Sequence, residues 1–162
     1  MMRLSKKIDY GLILLRDLTH GQGATSAREI AARYRLPASM AANILKELAG
    51  AGILESTRGA QGGYVLQRHA SQVSLAEVVE ALEGPFSLVD CVSDAACCQL
   101  SPLCPTHDPM QVVHQKFKDF MNQLSLEEIF RLGVGPVSLK ISSLKTPLSL
   151  KTPPDENPYL PG

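Results

Sequence analysis

Apolar residues recur at helical spacing through the N-terminal part of the chain. This spacing predicts a helix over residues 4–19, with an apolar face made of Ile8, Leu12, Leu15 and Leu18. A capping-box pattern from Ser26 to Glu29 predicts a second, short helix through I-A-A-R-Y. That helix is expected to end at the Leu36-Pro37 break, because proline disfavours helical geometry in the residue before it.

A third helix, A-S-M-A-A-N-I-L-K-E-L-A, is predicted next, with Pro37 in its first turn. Gly50 and Gly52 are expected to end it, and its predicted inner face consists of Ala41, Ile44, Leu45 and Leu48. Two β-prone runs, I-L-E-S-T and Y-V-L-Q, then flank the glycine-rich stretch R-G-A-Q-G-G. Short β-prone runs around such a loop predict a β-hairpin.

Three more helices are expected after the hairpin. The motif S-L-A-E at 74–77 is a second capping box, and it begins a helix that G-P at 84–85 ends. The dipeptide D-P at 108–109 predicts an N-cap followed by proline, starting a long helix that runs to about Leu124. The motif S-L-E-E at 125–128 caps a last short helix.

Three helices followed by a hairpin, within about 70 residues, is the element order of a winged helix-turn-helix. The sequence therefore predicts a mainly α fold with a small β-wing, joined to a long dimerisation helix. The expected regions are a winged helix-turn-helix DNA-binding region at 1–84, a cysteine loop at 85–107, a dimerisation helix with a short C-terminal helix at 108–132, and a tail at 133–162. The tail contains six prolines and repeats S-L-K, so we expect it to be disordered.

The formal net charge of zero conceals an asymmetry between the two parts of the chain. Residues 1–70 carry ten Lys or Arg against five Asp or Glu, whereas residues 71–162 carry six against eleven. A basic region joined to an acidic one favours a nucleic-acid-reading module attached to a sensing or oligomerising module. No stretch approaches the roughly 18 apolar residues that span a membrane, and the N-terminal apolar run is too short for a signal peptide. We therefore expect a cytoplasmic protein whose thiols stay reduced.

The predicted third helix and hairpin carry side chains suited to DNA. Ser39, Asn43 and Lys46 fall at i, i+4 and i+7, so they share one helix face that could enter a major groove. Arg58 lies at the edge of the glycine-rich loop and is suited to a minor groove. The loop is not a phosphate-binding P-loop, since no G-K-[ST] follows it. The candidate DNA-binding residues are Arg3, Ser39, Met40, Asn43, Lys46, Arg58 and Gln61.

The segment D-C-V-S-D-A-A-C-C-Q-L-S-P-L-C-P-T-H, at 90–107, contains all four cysteines and ends at His107. Zinc sites usually contain a tight pair of cysteines two to four residues apart, and no such pair occurs here. The wide, uneven spacing favours an iron–sulfur cluster held by thiolates. Spacing alone leaves open whether Cys97 or Cys98 is the middle ligand.

Three stretches resemble the Rrf2 family of bacterial transcription regulators, which includes IscR, NsrR and RirA. They are M-R-L-S-K-K-I-D-Y-G at the start, L-K-E-L-A-G-A-G-I-L-E-S-T-R-G-A-Q-G-G-Y at the wing, and L-A-E-V-V-E-A-L-E-G after it. The resemblance covers about residues 2–130. The context F-S-L-V-D-C-V is most similar to regulators of the sulfur-mobilisation (SUF) operon for iron–sulfur assembly.

The resemblance implies a [2Fe–2S] or [4Fe–4S] cluster and assigns its cysteine ligands as Cys91, Cys98 and Cys104. Cys97 is then a bystander. The fourth ligand is open. The resemblance implies either His107, which matches a branch in which a histidine completes a [2Fe–2S] site, or Asp9 on the first helix. Asp9 matches the nitric-oxide-sensing branch, in which the partner subunit supplies an aspartate to a [4Fe–4S] cluster. A histidine or aspartate ligand exchanges more easily than a thiolate, which suits a sensor.

The long helix over 109–124 has an apolar seam at alternating spacings of three and four residues. Its members are Met110, Val113, Phe117, Phe120 and Leu124. Such a seam favours a homodimer interface, and the resemblance implies a dimer as well.

These observations predict a homodimeric transcription repressor that binds double-stranded operator DNA and responds to cluster status, iron, or oxidative or nitrosative stress. Neither a membrane nor a small-molecule substrate is expected. One alternative is a winged-helix regulator that uses its cysteines as a zinc site or a thiol/disulfide switch. A thiol enzyme is a weaker alternative, because the chain has no Cys-x-x-Cys redox motif.

Overall fold

The computed structural model describes residues 5–21, 23–59, 62–89 and 103–132. Within these ranges the chain is mainly helical and contains one small antiparallel sheet. The elements, in order, are α1 Lys6–His20, α2 Ala27–Tyr34, α3 Ala38–Gly50, β1 Leu54–Thr57, β2 Gly63–Leu66, a 3₁₀ turn Ala70–Gln72, α4 Leu75–Glu83, α5 His107–Gln123 and α6 Leu126–Leu132. The expected fold class, a mainly α winged helix-turn-helix, is confirmed. The tail at 133–162 lies outside the described residues.

One hydrophobic core joins the helices. Its largest fully buried side chains come from α1, α2, α3, β1, α4, α6 and the residues beside them: Leu14, Leu15, Ile30, Ile44, Leu45, Leu48, Ile53, Leu54, Val73, Val78 and Leu126. The inner face predicted for α3 is buried as expected. In α1 the buried face is wider than predicted, because Gly11 and Leu14 also face the core.

The helix starts follow the predicted capping residues in most places. Ser26 and Glu29 form a complete capping box at the start of α2, and Ser74 and Glu77 form another at the start of α4. At α6, the Ser125 backbone amide donates to a Glu128 carboxylate oxygen over 3.0 Å. These motifs are local, so the sequence alone is enough to find them.

Two predicted helix starts are wrong by one or two residues. Pro37 is the N-cap of α3 rather than a first-turn residue, since its carbonyl accepts the first bond, from the Ala41 amide at 3.1 Å. The long helix α5 begins at His107 rather than after an Asp108 N-cap, and its first bond runs from the Met110 amide to Thr106 O. Proline is tolerated at either place, because amides of the first turn have no partner within the helix.

The wing extends beyond the two strands of the hairpin. β1 and β2 pair antiparallel, with Leu54 opposite Leu66 and Thr57 opposite Gly63. Thr25, just before α2, adds a bridge on the outer edge of β2, where its amide and carbonyl both bond to the backbone of Tyr64. The wing is therefore fixed to the segment that leads into the helix-turn-helix.

Candidate nucleic-acid interface and cysteine segment

One side of α3 is open to solvent. Ser39, Asn43 and Lys46 are exposed, and Met40 beside them is 39% exposed. The opposite side of the helix is packed in the core. The structure therefore brings together four of the predicted DNA-binding residues as one exposed face, and among the described residues no ion pair engages Lys46.

The N-terminus of α3 adds to this face. Pro37 provides no side-chain cap, so within the described ranges the first-turn amides have no capping side chain. Unpaired amides and the positive end of the helix dipole favour an anion such as a phosphate.

The wing tip presents Arg58 to solvent. Gly59 has a φ of +122°, a conformation that side chains rarely adopt, and a Cβ on Gly62 would lie 2.5 Å from the Thr57 carbonyl oxygen. The Gly63 amide donates to Thr57 Oγ1 over 3.2 Å, which closes the hairpin loop. The glycines thus permit a tight wing that carries an exposed arginine. Two other candidates, Gln61 and Arg3, lie outside the described residues.

Two exposed arginines on α2 and its end were not among the predicted DNA-binding residues. Arg28 and Arg35 are seven positions apart, and both are exposed. Arg35 ends α2 in the left-handed conformation (φ 54°), in the turn that leads to α3. The basic excess of residues 1–70 was the available signal, but sequence does not show which basic residues face solvent near α3.

The orientation of α2 is fixed by a buried carboxylate. Asp17 in α1 is only 7% exposed. It accepts hydrogen bonds from Arg33 at 2.5 and 2.6 Å and from the Tyr34 hydroxyl at 3.1 Å. The hydrogen bond to Asp17 raises the pKa of Arg33, and burial raises the pKa of Tyr34. The sequence did not predict this contact, which joins α2 to α1.

The described end of the cysteine segment, residues 103–107, contains Cys104 and His107. The His107 amide donates to the Cys104 carbonyl over 3.3 Å, which brings the two residues into one turn at the start of α5. The Cys104 thiol lies 3.2 Å from Thr106 Oγ1, and this hydrogen bond lowers the pKa of the thiol.

The His107 ring has one paired and one unpaired nitrogen. Its Nδ1 lies 3.1 Å from an Asp108 carboxylate oxygen, whereas Nε2 is buried without a hydrogen-bond partner among the described residues. A buried imidazole nitrogen with a free lone pair is what a metal ligand requires, and a carboxylate on the other nitrogen orients it.

The remaining predicted ligands are not brought to this turn by any described contact. Asp9 is exposed on α1. Cys91, Cys97 and Cys98 lie outside the described residues. Among the residues that the structure describes, no group of three or more His, Cys, Asp or Glu side chains forms a metal site.

The apolar residues of α5 are divided between two environments. Met121 is buried in the core, and Met110 and Leu124 are half-buried. Val113, Phe117 and Phe120 remain 45%, 37% and 50% exposed, with Val112 beside them at 46%. The predicted seam therefore lies along the edge of the face that packs on the protein's own core, and three of its five members face solvent.

Aromatic stacking connects α5 to the chain after α4. Phe86 stacks on His114 at 5.6 Å and on Phe117 at 6.2 Å between ring centroids. An ion pair between Lys118 and Glu80, at 3.3 Å, adds a second link between α5 and α4. No helix within the described ranges is both long and apolar enough to span a membrane.

Comparison with known proteins gives concordant matches. The family model described as "Rrf2: Iron-dependent Transcriptional regulator" matches residues 4–131. The HTH-type transcriptional regulator CymR of Bacillus subtilis (strain 168) is 36% identical over 95 residues, which cover 57% of this chain and 69% of that relative. The HTH-type transcriptional regulator IscR of Xenorhabdus nematophila is 29% identical over 132 residues, or 80% of each protein. The solved structure of CymR, described as the global cysteine regulator of B. subtilis, superimposes with a TM-score of 0.64 at 28% identity, covering 82% of this chain and 98% of that one.

Proposed function

Because the chain belongs to the Rrf2 family of transcription regulators, we propose that it is a homodimeric cytoplasmic repressor whose operator affinity depends on an iron–sulfur cluster. Membership of this family makes the protein a transcription regulator and not an enzyme. The single observation that carries the sensing part of the proposal is that His107 Nε2, in the turn that also contains Cys104, is buried without a hydrogen-bond partner among the described residues.

DNA reading is assigned to the exposed face of α3 and to the wing. Ser39 and Asn43 are suited to base edges or phosphates, and Lys46 to a phosphate, within a major groove. Arg58 on the wing reaches an adjacent minor groove. Arg28 and Arg35 are added as backbone contacts, because the first helix of a helix-turn-helix crosses the phosphates.

The residues at the start of α5 fit a thiolate-ligated cluster. Cys104 supplies a thiol whose pKa is lowered. His107 supplies Nε2, which has no hydrogen-bond partner among the described residues, on a ring that Asp108 orients through Nδ1. With Cys91 and Cys98, which the family resemblance adds, the set would hold a cluster with one labile nitrogen ligand. A bound cluster would supply iron that reacts with oxidants and is lost when iron is scarce. His107 is favoured as the fourth ligand because it shares a turn with Cys104 of its own chain, whereas Asp9 would have to come from the partner subunit.

Dimerisation is assigned to the outward side of α5. Four large apolar side chains, Val112, Val113, Phe117 and Phe120, are exposed in two neighbouring turns and the one that follows. Exposed apolar side chains at helical spacing mark a protein interface more often than bare surface. Two copies joined along α5 would present two DNA-binding regions, one for each half-site of a palindromic operator.

A second candidate signal is thiol chemistry without a cluster. The lowered pKa of Cys104, caused by its hydrogen bond to Thr106, increases the fraction of reactive thiolate. The relative CymR is described as a global cysteine regulator. In this version the cysteines would bind zinc or form a disulfide instead of holding a cluster.

Anaerobic purification with iron and acid-labile sulfide analysis separates these candidates. The cluster version predicts a brown protein that absorbs broadly at roughly 320–420 nm, where thiolate-to-iron charge transfer falls. A colourless anaerobic protein that contains stoichiometric zinc, or neither iron nor zinc, would refute the proposal that the protein holds a cluster.

Ligand variants then test the individual residues. We expect Cys98→Ser to lose the cluster and Cys97→Ser to keep it; the reverse result would exchange the two assignments. His107→Ala should destabilise the cluster. His114→Ala is the matched control, since His114 Nδ1 is also buried and has no partner in the part of the chain that the structure describes. Equal effects of the two histidine variants would count against His107 as a ligand.

Two further measurements address DNA binding and assembly. Arg58→Ala should weaken operator binding by about tenfold, whereas Arg131→Ala, on α6, should not. Phe120→Ser should shift the protein from dimer to monomer in sedimentation, whereas Leu103→Ser, at a side chain 87% exposed, should not. An unchanged operator affinity in the first case, or an unchanged mass in the second, would refute the respective assignment.

A further inference from the structure

Lys7 contacts two helices other than its own. Its ammonium donates a hydrogen bond to the backbone carbonyl of Leu82 over 2.6 Å. The same group pairs with a Glu47 carboxylate oxygen at 2.7 Å. Leu82 lies in the last turn of α4 and Glu47 lies in α3, so one side chain of α1 joins the reading helix to the end of α4.

The last turn of α4 is also held to α1 by contacts on either side of Lys7. The Ser5 hydroxyl donates to a Glu83 carboxylate oxygen over 2.5 Å. A Cβ built on Gly11 would lie 2.6 Å from Leu82 Cδ1, so the Leu82 side chain packs closely on α1 at this point. The end of α4 is therefore held against α1 by contacts that do not involve Lys7.

The contacts of Lys7 are electrostatically favourable at both ends. The carbonyls of the last turn of α4 have no partner within the helix, and a cation is favoured at the negative end of a helix dipole. On the other side, the ammonium faces the Glu47 carboxylate in α3, next in sequence to Lys46 on the exposed face. Holding Glu47 opposes rotation of α3 about its axis, which would turn the exposed face away from the DNA.

We propose that Lys7 is a positioning residue for DNA binding, which fixes the direction of the exposed α3 face by tying Glu47 to the last turn of α4. The proposal rests on the proposed operator binding by α3. The chain runs from this turn of α4 towards Cys91, seven positions after Gly84. Lys7 therefore joins α3 to the helix turn that precedes the cysteine segment in sequence.

The test is Lys7→Met in the full-length protein, with Lys6→Met as the matched control. Lys6 is the neighbouring exposed lysine of α1, and no described ion pair involves it. We expect Lys7→Met to weaken operator binding by about threefold to fivefold, the range for a half-exposed ion pair supported by a second hydrogen bond. The operator affinity of Lys6→Met should stay within twofold of that of the wild type, and Lys7→Arg should keep most of the wild-type affinity.

The salt dependence of binding separates positioning from a direct phosphate contact. A lysine that neutralises a phosphate reduces the slope of log affinity against log salt by about one when it is removed. We expect Lys7→Met to leave that slope unchanged. A reduced slope, or a loss equal to that of Lys6→Met, would overturn the proposal.

The variant Glu47→Gln separates positioning from electrostatic repulsion. If Lys7 merely neutralised Glu47 beside the DNA, Glu47→Gln would restore binding in the Lys7→Met background. Positioning predicts instead that Glu47→Gln alone weakens binding, and that the double variant binds as weakly as Lys7→Met alone.

Amide hydrogen exchange supplies a readout that does not depend on DNA. Lys7→Met should increase exchange in α3 and in the last turn of α4, while exchange in α2 stays unchanged. If the wild type did not bind DNA but this exchange pattern appeared, the proposed function would fail and the positioning contact would stand. An unchanged α3 would overturn the positioning role itself.

Discussion

Replacing Gly63 by alanine should separate the wing from the segment before α2. A Cβ at this position would lie 2.5 Å from both the carbonyl carbon and the carbonyl oxygen of Thr25, and 2.9 Å from the Ser26 amide nitrogen. All three are backbone atoms, so no side-chain rotation can relieve the overlap. Either β2 or the residues before α2 must move by several tenths of an ångström.

The cost follows from the contacts that this movement breaks. The hydrogen bonds between Thr25 and Tyr64, now 2.9 and 3.2 Å long, would stretch. Each contributes about 0.5–1.5 kcal/mol, and overpacking costs about 1–3 kcal/mol. We therefore expect Gly63→Ala to lower the free energy of unfolding by about 2–6 kcal/mol, the upper end applying if both bonds are lost.

Urea denaturation followed by circular dichroism measures this change. The matched control is Gly50→Ala at the end of α3, where an added Cβ meets no atom of the described residues within 4 Å. That substitution should be neutral or stabilising by about 0.5 kcal/mol, because alanine favours the helix. If Gly63→Ala were as stable as the wild type, the docking of Thr25 on β2 would be wrong.

Two further perturbations test the helix contacts. Asp17→Asn should lower the free energy of unfolding by about 1–2 kcal/mol in urea titrations, discounted because the Arg33 side chain is half exposed; no loss would show that the buried contact contributes nothing. Acid should also destabilise the fold: burial alone would raise the pKa of Glu77, but hydrogen bonds from Ser74 and Arg68 outweigh it and hold the pKa below its ordinary value. The stability that this carboxylate contributes is fully present above its pKa in the unfolded chain, and it is lost as the pH falls through its pKa in the folded protein. The urea concentration at the midpoint of unfolding should therefore decrease as the pH is lowered past the ordinary pKa of glutamate. Glu77→Gln, which can still cap α4, should show a smaller drop between pH 7 and 3.5; an equal drop would place the acid sensitivity elsewhere.

Much of the fold could be predicted because its determinants are close together in sequence. The capping boxes at the starts of α2 and α4 involve side chains three positions apart, and their helices begin where expected. The apolar spacing of α3 identified its buried face, and therefore also the exposed one that carries Ser39 and Asn43. The wing followed from two β-prone runs around glycines.

The candidate sites were predicted less completely. Sequence identified Cys104 and His107 as a pair, and their shared turn is a local feature that the structure describes. It gave two candidates for the fourth ligand, and both stay predictions: His107 Nε2 is buried without a hydrogen-bond partner among the described residues, and Asp9 is exposed on α1, as a ligand to a partner's cluster would have to be. The middle cysteine, Cys97 or Cys98, stays a prediction for the variants above.

The sequence by itself determined the order of the helices, the caps of α2, α4 and α6, the wing and the family, because each depends on residues within a few positions or on a continuous motif. Only the tertiary structure decided which polar groups meet across the core. Asp17 accepts a hydrogen bond from Arg33 in the next helix, and Lys7 donates one to the carbonyl of Leu82, 75 positions away in sequence. Such contacts leave no periodic signal, since either partner alone resembles an ordinary charged residue on a helix surface. The packing of the helices brings the partners together, and so gives the reading helix its fixed place.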